Sequence, residues 1–456
     1  MRPKSVLAIQ CLVIVLLSVM LFAPAVRGPF IWDDRYLLEQ MRGQGFVDLV
    51  SGSFIQRPGA DTGDYYRPLV TLSLVADRAV WGGASAGYHV TNLLLHALGA
   101  LAFWLLARRL IGAIPGFVAA CLFAAHPAHC EAVCWISGRA DLLAGLLVIV
   151  SLVGYLRWRN TPAALLSLAP AALALLSKET AVSLVFLAPA AVWCAGERSF
   201  RRLAAPALMF GGLAAAVFAL RALLIPLASV HRVEEASLGQ AAVGAYSLLM
   251  HFQILILPHT ARLGYHVVTD EVAKPATWIS LGGLGLVLWL AWADRRKRPI
   301  AWFAALWFAG AMVPVLGSAS GLSSTIIAER YVYVASAGLA ILVAWACLQA
   351  PNRMLGYGGL VAIMLYYASV TTVSSTLWAD DLKFWKRFVQ DTPLIGWGYC
   401  NLGAVATEHG DLRLARQSYQ VAADLMPDEP VPRMGLSEVD NLQKAAGSKT
   451  TPASHL

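Results

Sequence analysis

The sequence predicts an all-α fold: a polytopic membrane helix bundle of about eleven spans with a short helical hairpin near its C-terminal end. Three observations carry this. Hydrophobic side chains make up 58% of the 456 residues, against roughly 45–50% in soluble domains. Charged residues make up only 14%, against about 25%, and mean hydropathy is +0.62. Apolar runs of span length recur along most of the chain, separated by small basic clusters. This composition excludes a disordered chain, a collagen-like fibre and a disulfide scaffold. The net charge of +8 lies in short clusters between apolar runs, the pattern of cytoplasmic loops and not of a nucleic-acid-reading face.

The first run, Ser5 to Val26, follows Arg2 and Lys4 and is longer than the roughly 7–15 apolar residues of a cleavable signal. It predicts a retained first span with its N-terminus inside. Further runs lie near 88–107, 110–127, 140–156, 162–178, 180–196, 203–226, 276–293, 300–316, 332–349 and 355–375. On this count Arg108-Arg109, Arg157 with Arg159, Arg198 with Arg201-Arg202, Arg295 to Arg298 and Arg353 fall on the same side as Arg2 and Lys4, as the positive-inside rule requires. Counting Ala241 to Leu257 as a span would invert the later loops, so that stretch is expected to lie in the interface or to re-enter.

The predicted organisation is a membrane domain over 1–378, with outward segments at 27–86 and 229–276, then an outward helical hairpin over 379–430 and a disordered tail over 431–456. In the hairpin, Leu402-Gly403, Ala415-x3-Tyr419, Ala422 and Pro427 match the tetratricopeptide pattern. One such repeat cannot bury its own apolar face, so it needs the membrane domain, a protein partner or a second copy to lean on.

An ionisable residue at the bilayer centre costs about 2.5–3.5 kcal/mol on insertion scales, and here such residues gather at predicted outer ends. They are Asp33-Asp34 after span one, His126 and Glu131 after span three, Arg139 and Asp141 before span four, Lys178-Glu179 between spans five and six, and Glu329-Arg330-Tyr331 before span ten. An adjacent acid pair offers one carboxylate to accept a proton and one to orient a substrate. Arg67, in Tyr65-Tyr66-Arg67-Pro68, offers a fork suited to phosphate or serves as an interfacial anchor. His89, Asn92 and His96 share one helix face. That face implies interhelical hydrogen bonding, or metal ligation with His126, His129 or Glu131, for which no metal-ligand spacing speaks. Of the seven cysteines, Cys11, Cys121, Cys194 and Cys347 sit within apolar runs, and Cys130 and Cys134 stand four apart without a CxxC.

In order along the chain, Phe30-Ile-Trp-Asp33-Asp34, Tyr66-Arg67-Pro68-Leu69, Tyr88-His89-x2-Asn92-x3-His96, His126-Pro127-x2-Cys-Glu131, Gly138-Arg139-Ala-Asp141, Ser177-Lys178-Glu179 and Glu329-Arg330-Tyr331-x-Tyr333 resemble the transmembrane-and-TPR protein O-mannosyltransferases and their bacterial relatives. The resemblance runs from about residue 28 to 427. It implies the GT-C glycosyltransferase fold and an enzyme that moves a sugar, mannose in this family, from a polyprenyl-phosphate-linked donor to an acceptor polypeptide or glycan. It maps the catalytic acidic pair onto Asp33 and Asp34. It offers Arg67, Arg139, Lys178 and Arg330 for the donor phosphate, Arg330 and Arg67 first. His89, Asn92, His96, His126, Glu131, Asp141, Glu179, Glu329 and Tyr331 then line or support the pocket. No resident cofactor is implied, although a divalent cation is an option. The resemblance also implies a bacterial inner membrane with a periplasmic site. Two departures stand out: Glu39-Gln40 where the family pattern has an asparagine, and one repeat where it has an array able to cradle polypeptide. A lipid-modifying or glycan-modifying transferase, a transporter and a non-catalytic scaffold remain as alternatives.

Overall fold

A computed structural model describes residues 3–55, 65–225, 238–258, 262–265, 274–316 and 326–449. Much of the outward segment expected at 229–276, together with 56–64 of the first outward segment and 450–456, lies outside the described residues. Among the described residues the chain is helical and contains no strand.

Among the described residues six helices are long and apolar enough to cross a membrane, or seven if a bent pair, Ala113–Ala124 with Pro127–Cys134, counts as one span. The chain is a multi-pass membrane protein. In order, α1 is Pro3–Met20, α2 Asp34–Gln40, α3 Phe46–Ser51, α4 Pro68–Trp81, α5 Ser85–Ile111, α6 Ala113–Ala124, α7 Cys130–Cys134 and α8 Arg139–Trp158. Then follow α9 Leu168–Leu175, α10 Leu184–Cys194, α11 Phe200–Leu224, α12 Leu238–Ile256, α13 Pro275–Ala293, α14 Pro299–Leu316, α15 Ser336–Leu348 and α16 Arg353–Leu377. Each apolar run read as a span overlaps a helix, and the runs at 5–26, 162–178, 180–196 and 332–349 meet the shorter apolar helices Lys4–Met20, Pro162–Leu175, Glu179–Cys194 and Ser336–Leu348. The stretch at 241–257, expected to be interfacial or re-entrant, belongs to the continuous helix α12. Its Ser247 and His251 are buried in protein: Ser247 Oγ donates to the Ile326 carbonyl at 3.1 Å.

The breaks between helices matter more for function than the helices do. Pro127 has no N–H and forces His126 out of the helical region (φ −65°, ψ 124°), so the chain bends by 55° before α7 forms. Lys178 is extended (φ −159°, ψ 139°) between α9 and a 3₁₀ turn at Glu179–Ser183. Ala328 is likewise extended (φ −153°, ψ 142°) before the 3₁₀ turn Glu329–Val332. Each break turns a helix end inward where an unbroken span would continue in hydrocarbon. At the other end of α5, Gly112 takes φ +94°, which glycine adopts without steric cost, and so permits the reversal into α6.

By its contacts the chain divides into two compact units, Met1–Ala261 with Val267–Ser375, and Arg262–His266 with Thr376–Leu456. The second unit contains α17 Asp381–Asp391, α18 Gly396–Glu408, α19 Leu412–Leu425 and α20 Pro430–Lys449. Its core is Ala406, Ala415, Tyr419 and Val439, with Leu382, Leu412, Leu414 and Leu436 packed against them. The expectation of a disordered tail over 431–456 is therefore corrected for 431–449. Leu436 and Val439, at helical spacing, pack into that core and give α20 the apolar burial that stabilises it.

In the first unit, Tyr333 packs against the backbone of α8 at Gly145, where an added Cβ would lie 2.7 Å from the ring. The Tyr333 ring is fully enclosed, and its hydroxyl lies 3.0 Å from His96 Nδ1, so it cannot swing away. Gly145→Ala is expected to destabilise the protein by about 1–3 kcal/mol through overpacking, read as a lower melting temperature in detergent. Gly282→Ala, with open space around it, is the control.

Candidate active site

The acid pair sits where the chain leaves a tight turn. Trp32 takes a left-handed φ of 62°, which a bulky side chain adopts only when its surroundings impose it. Two contacts impose it here. The Trp32 ring packs on the Trp135 ring at 5.4 Å between centroids, and Asp34 ties the turn to the segment after α7. Asp34 Oδ1 accepts from Ser137 N–H at 3.0 Å and from Ser137 Oγ–H at 2.5 Å, while Oδ2 accepts from Ile31 N–H at 3.1 Å. Asp34 is 2% exposed. Burial pushes its carboxyl up to about 7, against the opposing pull of Ser137 and Ile31. Asp33, the N-cap residue of α2, is half-buried.

Beyond Trp135 lies a set of ion pairs drawn from the three helix breaks, from α8 and from the segment before α4. Arg67 grips Glu179 with both arms of its fork, Nη2 to Oε1 at 2.7 Å and Nε to Oε2 at 3.3 Å. Lys178 Nζ straddles the Asp141 carboxylate at 2.7 Å to each oxygen. Arg330 pairs with Glu131 through its guanidinium and through its backbone N–H, the latter at 3.0 Å. Aromatic rings join these pairs. Arg330 lies 5.3 Å from the Trp135 ring centre and 5.0 Å from that of Tyr331, and Lys178 Nζ lies 4.9 Å from Tyr331. Arg67 lies 4.3 Å from the ring of Tyr65.

The cations differ in access. The Arg67 and Arg330 side chains are 12% and 14% exposed, while that of Lys178 is 3% exposed. Burial pushes the Glu179 carboxyl up, but Arg67 and Lys178 outweigh it and hold the group at about 2. Burial lowers the Lys178 ammonium, as do Arg67 and Arg330, with Asp141 opposing them. Three basic side chains, each set against a carboxylate, share one patch largely shielded from water. An incoming anion finds partners there only by loosening an existing pair.

Other residues singled out in the sequence fall elsewhere. Arg139, expected at a donor phosphate, is 0% exposed and all its nitrogens are engaged. Nε donates to Asn92 Oδ1 at 2.8 Å, Nη1 to the Ser73 carbonyl at 3.2 Å and Nη2 to the Tyr88 carbonyl at 3.0 Å, and Nη2 also forms an ion pair with Asp77 Oδ2 at 2.5 Å. It ties α4, α5 and α8 together. Asn92 also donates to the Trp135 carbonyl at 2.9 Å and so supports the site from behind. His89 lies 3.2 Å from the Gly28 carbonyl, His96 is bound between Tyr333 and the Ala124 carbonyl, and His126 lies 3.2 Å from the Leu255 carbonyl. Each contact is internal to the bundle. Glu329 is buried. Among the described residues no group of three or more His, Cys, Asp or Glu side chains is placed to hold a metal ion. Trp135 and Ser137 escaped the sequence reading of the site, and Trp32 and Tyr65 entered it only as neighbours of the acid pair and of Arg67. An aromatic beside a membrane span has so many ordinary packing roles that only its contacts reveal this one.

Two outcomes follow. Arg139→Ala leaves Asp77 buried and unpaired and is expected to cost roughly 3–5 kcal/mol, seen as loss of folded protein from the membrane, whereas Arg330→Ala leaves Glu131 partly exposed and costs less. The carboxyl of Asp34 holds its proton more tightly folded than unfolded, so it subtracts from stability as pH rises from its unfolded value, 3.8, to about 7, and not further above that. The melting temperature of Asp34→Asn relative to the parent should therefore rise between pH 5 and 7 and level off above 8.

No family model matches the chain. A Drosophila melanogaster protein O-mannosyl-transferase, Tmtc1, is 32% identical over 181 residues, 38% of this chain and 21% of that protein. Tmtc2 of the same organism is 34% identical over 197 residues, 40% of this chain and 21% of its own length. Human TMTC2 is 41% identical over 97 residues, 21% of this chain and 12% of its own. The matched stretch thus spans about a fifth or less of each of these relatives. Among solved structures, ArnT from Cupriavidus metallidurans bound to undecaprenyl phosphate aligns over 96% of this chain and 76% of its own, at 17% identity and a TM-score of 0.47, too low to carry a conclusion. Over about two fifths of its length, the chain is a sequence relative of the protein O-mannosyltransferases.

Proposed function

We propose that this protein is an integral-membrane GT-C glycosyltransferase that moves mannose from a polyprenyl-phosphate donor to a serine or threonine hydroxyl, on the extracytoplasmic side of a bacterial inner membrane. The observation that carries the proposal is the physical link between a strained acidic turn and a cluster of three cations, made by Trp32, Trp135 and Arg330. An acid that accepts a proton and cations that receive a leaving phosphate are the two halves such a transfer needs. The choice of mannose and of a protein acceptor rests on the sequence relatives and carries over from them.

In the proposed reaction Asp33 takes the proton of the acceptor hydroxyl. The hydroxyl oxygen attacks the anomeric carbon from the face opposite the phosphate, and the bond from that carbon to the phosphate oxygen breaks. The lipid phosphate keeps the electron pair. Asp33 is assigned the proton because Asp34 already accepts three hydrogen bonds that hold the turn. Arg330 and Arg67, the more exposed cations, receive the phosphate by exchanging part of their bonding to Glu131 and Glu179, and Lys178 supports them from behind. The gain comes from positioning and electrostatics in a patch largely shielded from water.

The test is sugar transfer from radiolabelled polyprenyl-phosphate mannose in membranes carrying the parent, Asp33→Asn, Asp34→Asn or Arg330→Ala at equal expression. Asp33→Asn should lower the rate by about 10²–10⁴, the usual worth of a general base. Asp34→Asn, which loosens the turn without removing the base, should lower it less. Label entering protein supports a protein acceptor, and label entering lipid or glycan moves the acceptor to that class. Failure to consume any lipid-linked sugar, or acid variants as active as the parent, favours a transporter or scaffold instead.

A further inference from the structure

Trp135 carries a feature that neither the acid pair nor the cations explain. Its indole N–H is buried with no hydrogen-bond partner among the described residues, in a side chain whose residue is 9% exposed. An indole nitrogen can only donate, so no choice of tautomer relieves it. An unpaired buried donor keeps the full cost of its lost hydration. Two other tryptophans, Trp104 and Trp378, share this condition. Trp104 lies within the span α5 beside Arg108, and Trp378 belongs to the second compact unit. Trp135 is the one in contact with the acidic turn through Trp32 and with Arg330.

Its backbone is held firmly around that ring. The Trp135 carbonyl accepts from Asn92 at 2.9 Å, its N–H donates to the Glu131 carbonyl at 3.4 Å, and Ser137 two residues on bonds Asp34. The indole is therefore carried on a fixed segment between the carboxylate that pairs Arg330 and the serine that anchors the acid turn.

We propose that the Trp135 indole N–H donates to an oxygen of the donor's phosphate. This deepens the functional reading above and rests on it. Arg330 lies 5.3 Å from the ring centre, and an anion that meets it supplies the acceptor missing among the described residues. Because the nitrogen is closed to solvent at rest, the ring turns or Arg330 shifts from Glu131 as the anion enters, which couples entry to the opening of that ion pair.

The experiment uses the full chain purified in detergent and titrated with undecaprenyl monophosphate, with inorganic phosphate as the head-group probe. The parent is compared with the same chain carrying 3-benzothienylalanine at position 135, which keeps both fused rings and replaces the N–H donor by sulfur. Loss of a hydrogen bond to a charged oxygen is expected to weaken binding roughly tenfold or more, while the melting temperature of the unliganded variant stays equal to or above that of the parent. A structural role would do the reverse, lowering the melting temperature and leaving affinity unchanged, and that result overturns the assignment. If inorganic phosphate competes in the parent and loses affinity in the variant, the contact is to the phosphate group itself; if only the lipid loses affinity, the contact needs the lipid-borne phosphate. Equal lipid affinity in parent and variant overturns the Trp135 contact alone. A parent that binds neither probe overturns this inference together with the donor assignment, and the mannose-transfer assay then reports separately on the enzyme class.

Discussion

The low dielectric of the bundle requires that each buried charge be matched, and much of the architecture follows from that requirement. Arg67 with Glu179, Lys178 with Asp141, Arg330 with Glu131 and Arg139 with Asp77 are one-to-one pairs. Three of them join residues 37, 112 and 199 positions apart, so each also fixes how distant helices meet. Breaking a pair leaves a charge stranded in protein, which gives the bundle a single low-energy arrangement at its polar end. The fourth pair differs in kind: Arg139 has its donors spent on α4 and α5 and stays closed, whereas Arg67 and Arg330 keep an exposed edge.

That difference separates framework from site. A cation whose partners are all fixed contributes stability and little else. One whose partner can be exchanged is poised to meet an anion. The helix breaks at Pro127, Lys178 and Ala328 make the exchangeable set possible, since each ends a helix before its polar residues would enter hydrocarbon and turns them toward one another. Strain at Trp32 fits the same picture, because a left-handed tryptophan persists only where packing and hydrogen bonds over-determine it.

The aromatic rings between the charges have a second consequence. Tyr331 lies against both Lys178 and Arg330, and Trp135 against both Arg330 and Trp32. Displacement of Arg330 is therefore felt at the acidic turn through one ring and at Lys178 through another. Movement at the cation pairs and movement at the acidic turn are mechanically linked without any direct bond between them.

Composition and periodicity alone determined the membrane class, the helices and the clustering of ionisable residues at helix ends, because burial in lipid and the positive-inside rule act residue by residue along the chain. The ordered motifs from Asp33 to Tyr333 also marked the site's raw material. What the sequence left open was which cations are available: Arg139 and Lys178 read much like Arg67 and Arg330, and only packing distinguishes a guanidinium sealed on four partners from one with a free edge. The residues at 431–449 read as polar and unstructured because their apolar positions, Leu436 and Val439, gain meaning only against Tyr419 and Ala415. Trp135 was invisible for the same reason. Its role depends on a ring beside Arg330 and Trp32 and on a donor without an acceptor among the described residues, and both are properties of three-dimensional neighbours that local sequence does not encode.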